Sequence, residues 1–416
     1  MRAATAVKTI TPVQGMQMAG FDRRSLPAED TLDDLQVCAL ALLDDRDGAF
    51  VFCVYDSLGT DSTFCAGVKQ AVGTLCGLAP QQVWVGATHT HAAPGAHFYG
   101  KKGYDAAFAQ QMIQAGAETA AQALERARCA PKAAAYAAVP TVTGVTSLRN
   151  RGREGADFAM PLPFVRLETG DGTLTLARMA CHPTVLDEKN LRYSADLAGA
   201  LRRKLGENAL VLNGACGDLS TRFTRNASTP QELERISALA AAAVETAQPQ
   251  PVQGFGARIA AAELLAELPC AADFAPEQRQ QLLAEIRQKL AACTDAQAAR
   301  EYDSRLAVLE RPPVQREKSR AVRVCAVDLG PCVLTGLPFE IDFADAAAMD
   351  ATLAAAAGKP VFAVCYTGGC ESYLPSGAPL TADSSYEDIA SVYLPESRRL
   401  LLEAALECVR RCAKTV

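Results

Sequence analysis

Five apolar runs in this 416-residue chain each stop at residues able to do chemistry, and that pattern restricts the fold more than any other feature. The run Val83-Trp84-Val85 leads into Thr88-His89-Thr90-His91 and halts at Pro94-Gly95. The other runs deliver His182 in Cys181-His182-Pro183, Asp218 and Ser220 after Asn213-Gly214, Glu340 after Thr335-Gly336, and Tyr373 after Tyr366-Thr367. In α/β sheets, ligand sites form where the carboxyl ends of strands open into loops. The expected fold is therefore α/β, with mixed β-sheets flanked by helices and one site at the strand ends.

The histidines sharpen this expectation. There are only four, and His89, His91 and His97 fall together while His182 follows another apolar run. Residues two apart on an extended segment point the same way, so His89 and His91 can face one point. Adjacent strand residues point oppositely, which argues against a Cys181–His182 thiol–imidazole pair. Two or three imidazoles at one place suit a catalytic zinc, which takes three protein ligands and keeps an open position; the plainer reading is imidazoles bonded to loop backbone. Ser220 lies in a glycine-rich stretch that is neither a nucleophile elbow nor a P-loop, and it reads as a nucleophile, an oxyanion donor or a helix cap. Arg149, Arg151 and Arg153 in S-L-R-N-R-G-R form either an anion site or a solvated surface. Tyr373 and Tyr386, taken alone, read as packing residues.

Turn chemistry at Asp44 to Gly48 and at Gly170-Asp171-Gly172 predicts antiparallel connections. From 249 to 313 the pattern changes, and Leu282, Ile286 and Leu290 on one stripe, then Leu306 and Leu309, predict a helical hairpin inserted into a single domain covering 1–416. That insertion reads as packing or a lid. A net charge of −6 argues against a nucleic-acid partner, and no apolar stretch is long enough for a transmembrane segment. Fifteen cysteines without C-x-x-C pairs read as buried thiols. With no apolar leader after Met1, a reducing, cytoplasmic location is expected.

Taken together, T-H-T-H-A-A-P-G, A-C-H-P-T, N-L-R-Y-S-A-D-L and N-G-A-C-G-D-L-S-T-R resemble the neutral/alkaline non-lysosomal ceramidase family, in order and spacing. The openings V-K-T-I-T-P and Y-D-S-L-G are similar as well. The resemblance implies a zinc-dependent amide hydrolase acting on a small-molecule or lipid-like amide. By the same likeness His89, His182 and Tyr373 are the zinc ligands, and His91, Arg151, Ser220 and Tyr386 work beside them. One position departs: Leu337 in T-G-L-P-F-E stands where the family has a zinc-ligating glutamate. Glu340 or Asp342 is then expected to reach in, and the alternative is a metal-less member that binds or regulates. A metal-free serine hydrolase using Ser220 is the third reading.

Overall fold

The structure is a computed structural model that describes residues 1–46, 48–98, 103–170 and 172–414. The turn positions Asp47 and Asp171 lie outside the described residues. Three main sheets face one another across a shared core. The first comprises β1 (Arg2–Thr9), β2 (Gln36–Leu43), β3 (Ala49–Tyr55) and β4 (Val83–Ala87), in that order. The second is built on β5 (Ala134–Ala138), β6 (Phe164–Thr169), β7 (Gly172–Met179) and β8 (Ala209–Asn213), with Gln250–Pro251 at its edge. The third comprises β9 (Ala260–Pro269), β10 (Ser319–Asp328), β11 (Val333–Gly336) and β12 (Val361–Val364).

Strand β2 shows why these segments read as almost unbroken apolar runs. Val37, Ala39, Ala41 and Leu43 pack toward the helices, while Cys38, Leu40 and Leu42 turn to the other two sheets. A strand covered on both faces needs apolar residues at every position, not at alternate ones. Trp84 sits in the shared core, edge-on to Phe50 and Phe52. Helices α1 (Ser62–Cys76) and α2 (Ala106–Cys129) cover the first sheet. Apolar residues of α3 (Asp196–Leu205), α4 (Pro230–Thr246), α7 (Phe343–Ala357) and α9 (Ser397–Lys414) join the outer core of the other two.

Each main sheet contains one parallel pair, and these pairs place the site. They are β3 with β4, β7 with β8, and β11 with β12. A parallel pair puts two carboxyl ends side by side. The ends of the three pairs are then joined across sheets: Ala87 N–H donates to Tyr366 O at 3.1 Å, Gly368 N–H to Val85 O at 2.8 Å, and Cys365 N–H to Asn213 O at 3.0 Å. The Asn213 amide adds a bond to Thr88 O at 3.2 Å.

The predicted helical hairpin is present as α5 (Pro276–Ala292) and α6 (Ala296–Leu309). The insertion drawn at 249–313 is too long, however. Ala260–Pro269 is a strand that pairs along its whole length with Ser319–Asp328. Its A-A-A-E-L-L-A-E-L composition favours helix locally, and the ten-residue ladder overrides that preference. All fifteen cysteines are free thiols. Among the described residues, no helix is long and apolar enough to cross a membrane.

One buried ion pair ties α3 to the first sheet. Arg202 grips Asp56 with both guanidinium nitrogens, at 3.0 and 2.7 Å, while Asp56 also accepts the Gln36 N–H at 2.9 Å. Removing one partner strands the other charge in the core. Asp56→Ala is expected to lower the unfolding free energy by about 3–5 kcal/mol, read as a shift in the urea midpoint.

Candidate metal centre

The centre is assembled from the three pairs of strand ends. His89 and His91 follow β4, His182 follows β7, and Glu340 lies four residues past β11. Tyr373, beyond β12, pairs its backbone with that of Glu340. His89 takes a left-handed φ of 66° and stacks on Tyr366, itself at φ 54°, with ring centroids 4.0 Å apart. Non-glycine residues held there cost about 1–3 kcal/mol, and the cost persists where the surroundings over-determine the conformation.

Backbone carbonyls fix both imidazoles. His89 Nδ1–H donates to Leu58 O at 2.6 Å, and His182 Nδ1–H donates to Cys216 O at 2.6 Å. With the proton on Nδ1, each Nε2 presents a bare lone pair in the neutral ring. Those lone pairs face the same carboxylate oxygen: Glu340 Oε2 is 3.3 Å from His89 Nε2 and 3.1 Å from His182 Nε2. Burial pulls His182 down to about 4, so it is neutral at pH 7 even beside Glu340. Burial works against the Glu340 carboxylate, and it takes positive charge at the His89 and His182 nitrogens it faces to hold it well below the usual range. Acceptors aimed at one another in a buried site call for a cation among them.

The spacing suits that cation. A tetrahedral zinc site with ligand distances of about 2.0–2.1 Å separates its donors by about 3.3–3.4 Å. Besides the two Glu340 contacts, Tyr373 Oη lies 3.4 Å from His182 Nε2, and His91 Nε2 lies 3.4 Å from His89 Nε2. The ligand atoms of His89, His91 and His182 all lie within 4.8 Å of one another. His91 has a buried Nδ1 with no partner and, through burial and the neighbouring imidazoles of His89 and His182, a pKa well below its ordinary value.

Leu337, standing where the family's carboxylate was expected, is fully buried in the apolar core. The carboxylate at the histidines comes from Glu340, three positions later. Asp342 instead precedes α7 and packs beside Gly217. Ser220 lies next to His182 in the backbone and opens onto the same cavity. Its hydroxyl accepts from Arg222 N–H at 3.3 Å. Tyr386 meets Tyr373 edge-on at 5.6 Å, and burial pushes its phenol up to about 12. Burial likewise raises Tyr373 well above the ordinary value; both are neutral donors at pH 7.

Arg151 is exposed and does not line the cavity. Arg149 does, held by Glu387 and by the Gly217 carbonyl beneath the Tyr386 ring. The short strands Ser147–Leu148 and Leu219–Ser220 pair, and the Arg149 N–H that follows donates to Asp218 O at 2.9 Å, so Arg149 lines the cavity that Ser220 also lines. Arg222, the last residue of the N-G-A-C-G-D-L-S-T-R stretch, also lines the cavity, as do Arg225 and Arg300, which no motif singled out.

The architecture is that of the bacterial neutral ceramidases. No family model matches the chain, and no curated protein matches its sequence; the likeness lies in solved structures. A ceramidase solved in complex with C2 superposes with a TM-score of 0.73 at 14% identity, spanning 100% of this chain and 75% of that one. Neutral ceramidase from Pseudomonas aeruginosa gives a TM-score of 0.72, also at 14% identity, over 99% and 74% of the two chains. At that identity the likeness is one of fold.

If Leu337 is core and not ligand, Leu337→Ala is expected to cost about 2–5 kcal/mol of stability with no change in zinc per folded molecule. Urea titration and metal analysis of the same sample check both halves.

Proposed function

We propose that this chain is a zinc-dependent hydrolase that cleaves an amide, or secondarily an ester, bond of a small-molecule or lipid-like substrate. The observation that carries the reading is the Glu340 carboxylate set 3.1–3.3 Å from two imidazole nitrogens whose far sides are locked to carbonyls. The fold it shares with structures described as ceramidases points to the same class of reaction.

His89, His182 and Glu340 would hold the ion, with Tyr373 at its side. When bound, zinc would polarise the substrate carbonyl and acidify an attacking water. The protein's own groups do the rest. The neutral His91 imidazole and the Tyr386 phenol donate to the oxygen on which charge develops. Arg149, kept cationic by Glu387, adds a fixed positive charge under the Tyr386 ring. Such preorganised donors stabilise the transition state more than the ground state.

Ser220 serves as a donor in this reading. A serine nucleophile needs a base within hydrogen-bond reach, and none of the described imidazoles bonds its hydroxyl. His182 Nδ1 is bonded to the Cys216 carbonyl and its Nε2 faces Glu340 rather than Ser220. The metal-less alternative rested on Leu337, and Glu340 supplies the carboxylate whose loss had motivated it.

A broad acyl-amide screen with acetate or fatty-acid release as readout tests the proposal. Turnover is expected to vanish on zinc removal and in His182→Ala, and to return when zinc is restored to the unmodified protein. Ser220→Ala is expected to lower kcat by roughly 10²–10³-fold without abolishing it. Chelator-resistant turnover that Ser220→Ala eliminates would establish the serine mechanism instead.

A further inference from the structure

The cavity in front of the histidines has the wrong size and lining for a long-chain lipid. Its volume is about 190 Å³, below the roughly 300 Å³ at which pockets for drug-sized ligands begin. The inserted hairpin closes its outer side: Arg300, Glu301 and Asp303 of α6 line it. That helix is strapped down from several directions. Arg23 reaches Asp303 at 2.8 Å and Glu310 at 3.0 Å, and Arg311 just beyond α6 reaches Asp22 at 2.6 Å. Arg222 pairs with Glu301, and Arg300 with Glu188.

Five arginines line this cavity, and their pairing is uneven. Arg23, Arg149, Arg222 and Arg300 each have a carboxylate partner: Asp303, Glu387, Glu301 and Glu188. Arg225 has none among the described residues. It donates only to the Thr184 carbonyl and the Thr221 hydroxyl. Burial first, then the neighbouring charges of Arg300 and Arg222, push its guanidinium down to about 10 against the weaker pull of Asp187 and Asp196, so it stays a cation in an unfavourable place. A guanidinium crowded by two others, with no carboxylate in ion-pair contact among the described residues, is one half of an incomplete ion pair.

We infer that the substrate is a small acyl amide carrying an anionic oxygen group, carboxylate or phosphate, which Arg225 binds with Arg222 and Arg300 while the scissile carbonyl lies at the histidines. The inference rests on the hydrolase reading for its chemistry, but the anion site stands on Arg225 alone. A single anion there supplies the missing partner and relieves the repulsion among three guanidiniums.

The test uses near-isosteric probes that differ in charge. Acetate release by the zinc-loaded protein is compared for N-acetylglycine, N-acetylglycinamide, N-acetyl-O-phosphoethanolamine and, for fatty acid, N-palmitoylsphingosine. Binding of N-acetylglycine and N-acetylglycinamide to zinc-free protein is measured by calorimetry. A charge-assisted pair is expected to favour the anionic probes by roughly ten-fold or more in kcat/KM and in affinity, and the preferred anion identifies its source. Arg225→Gln should collapse that ratio, and Arg225→Lys, which keeps the charge, should retain part of it. Turnover of both acetyl probes at equal rates, or preference for the palmitoyl amide, overturns the inference and leaves the hydrolase reading intact. Selective anion binding without any turnover sustains the anion site at Arg225 but overturns its assignment to a substrate, together with the hydrolase reading. Absence of selective binding and of turnover overturns both.

Discussion

The structure depends on a conflict among acceptors. Two imidazoles are pinned through Nδ1 to carbonyls of the loops after the neighbouring strands, and their bare Nε2 atoms converge on one oxygen of Glu340. Left alone, that arrangement is repulsive and buried, the costliest combination for a polar group. It persists because the surroundings leave no alternative. Three parallel strand pairs from three sheets end at the same place and are hydrogen-bonded to one another there. The left-handed backbone of His89 and Tyr366 belongs to the same constraint: each ring is placed by a conformation that only a rigid frame can impose.

How much of this was legible depends on whether the signal was local. Apolar runs ending in His, Asp, Glu and Tyr marked the strand ends, because a doubly covered strand must be apolar at each position and must stop where polar side chains begin. The pair His89/His91 stood out through period-two spacing in a chain with few histidines. Glu340 was harder. The alignment of motifs put Leu337 at the ligand position, and nothing local says that the chain runs three residues further before the carboxylate turns inward. Arg149 and Arg151 differ by the pairing of two short strands far apart in sequence, which no local pattern encodes. Ala260–Pro269 misled for a related reason: its composition is helical, and only its distant partner makes it a strand.

The helical hairpin α5–α6 links the fold to the proposed selectivity. Its apolar stripe, Leu282, Ile286, Leu306 and Leu309, packs with Ile389 of the short helix α8 (Tyr386–Ala390), the segment that begins at Tyr386. Its charged face lies over the cavity and pairs with loops before β2 and after His182. The same helix therefore buries apolar surface on one side and sets the polarity of the site on the other. The architecture is shared with ceramidase structures, and the proposed selectivity rests on the roof of the cavity, where α6 contributes Arg300, Glu301 and Asp303.

The most direct measurement is an anomalous difference map at the zinc absorption edge, from crystals of the metal-stripped protein given one equivalent of zinc. The account predicts one peak about 2.0–2.1 Å from His89 Nε2, His182 Nε2 and a Glu340 carboxylate oxygen. A map with no peak there, or with the ion held elsewhere while those three groups stay as they are, would contradict it.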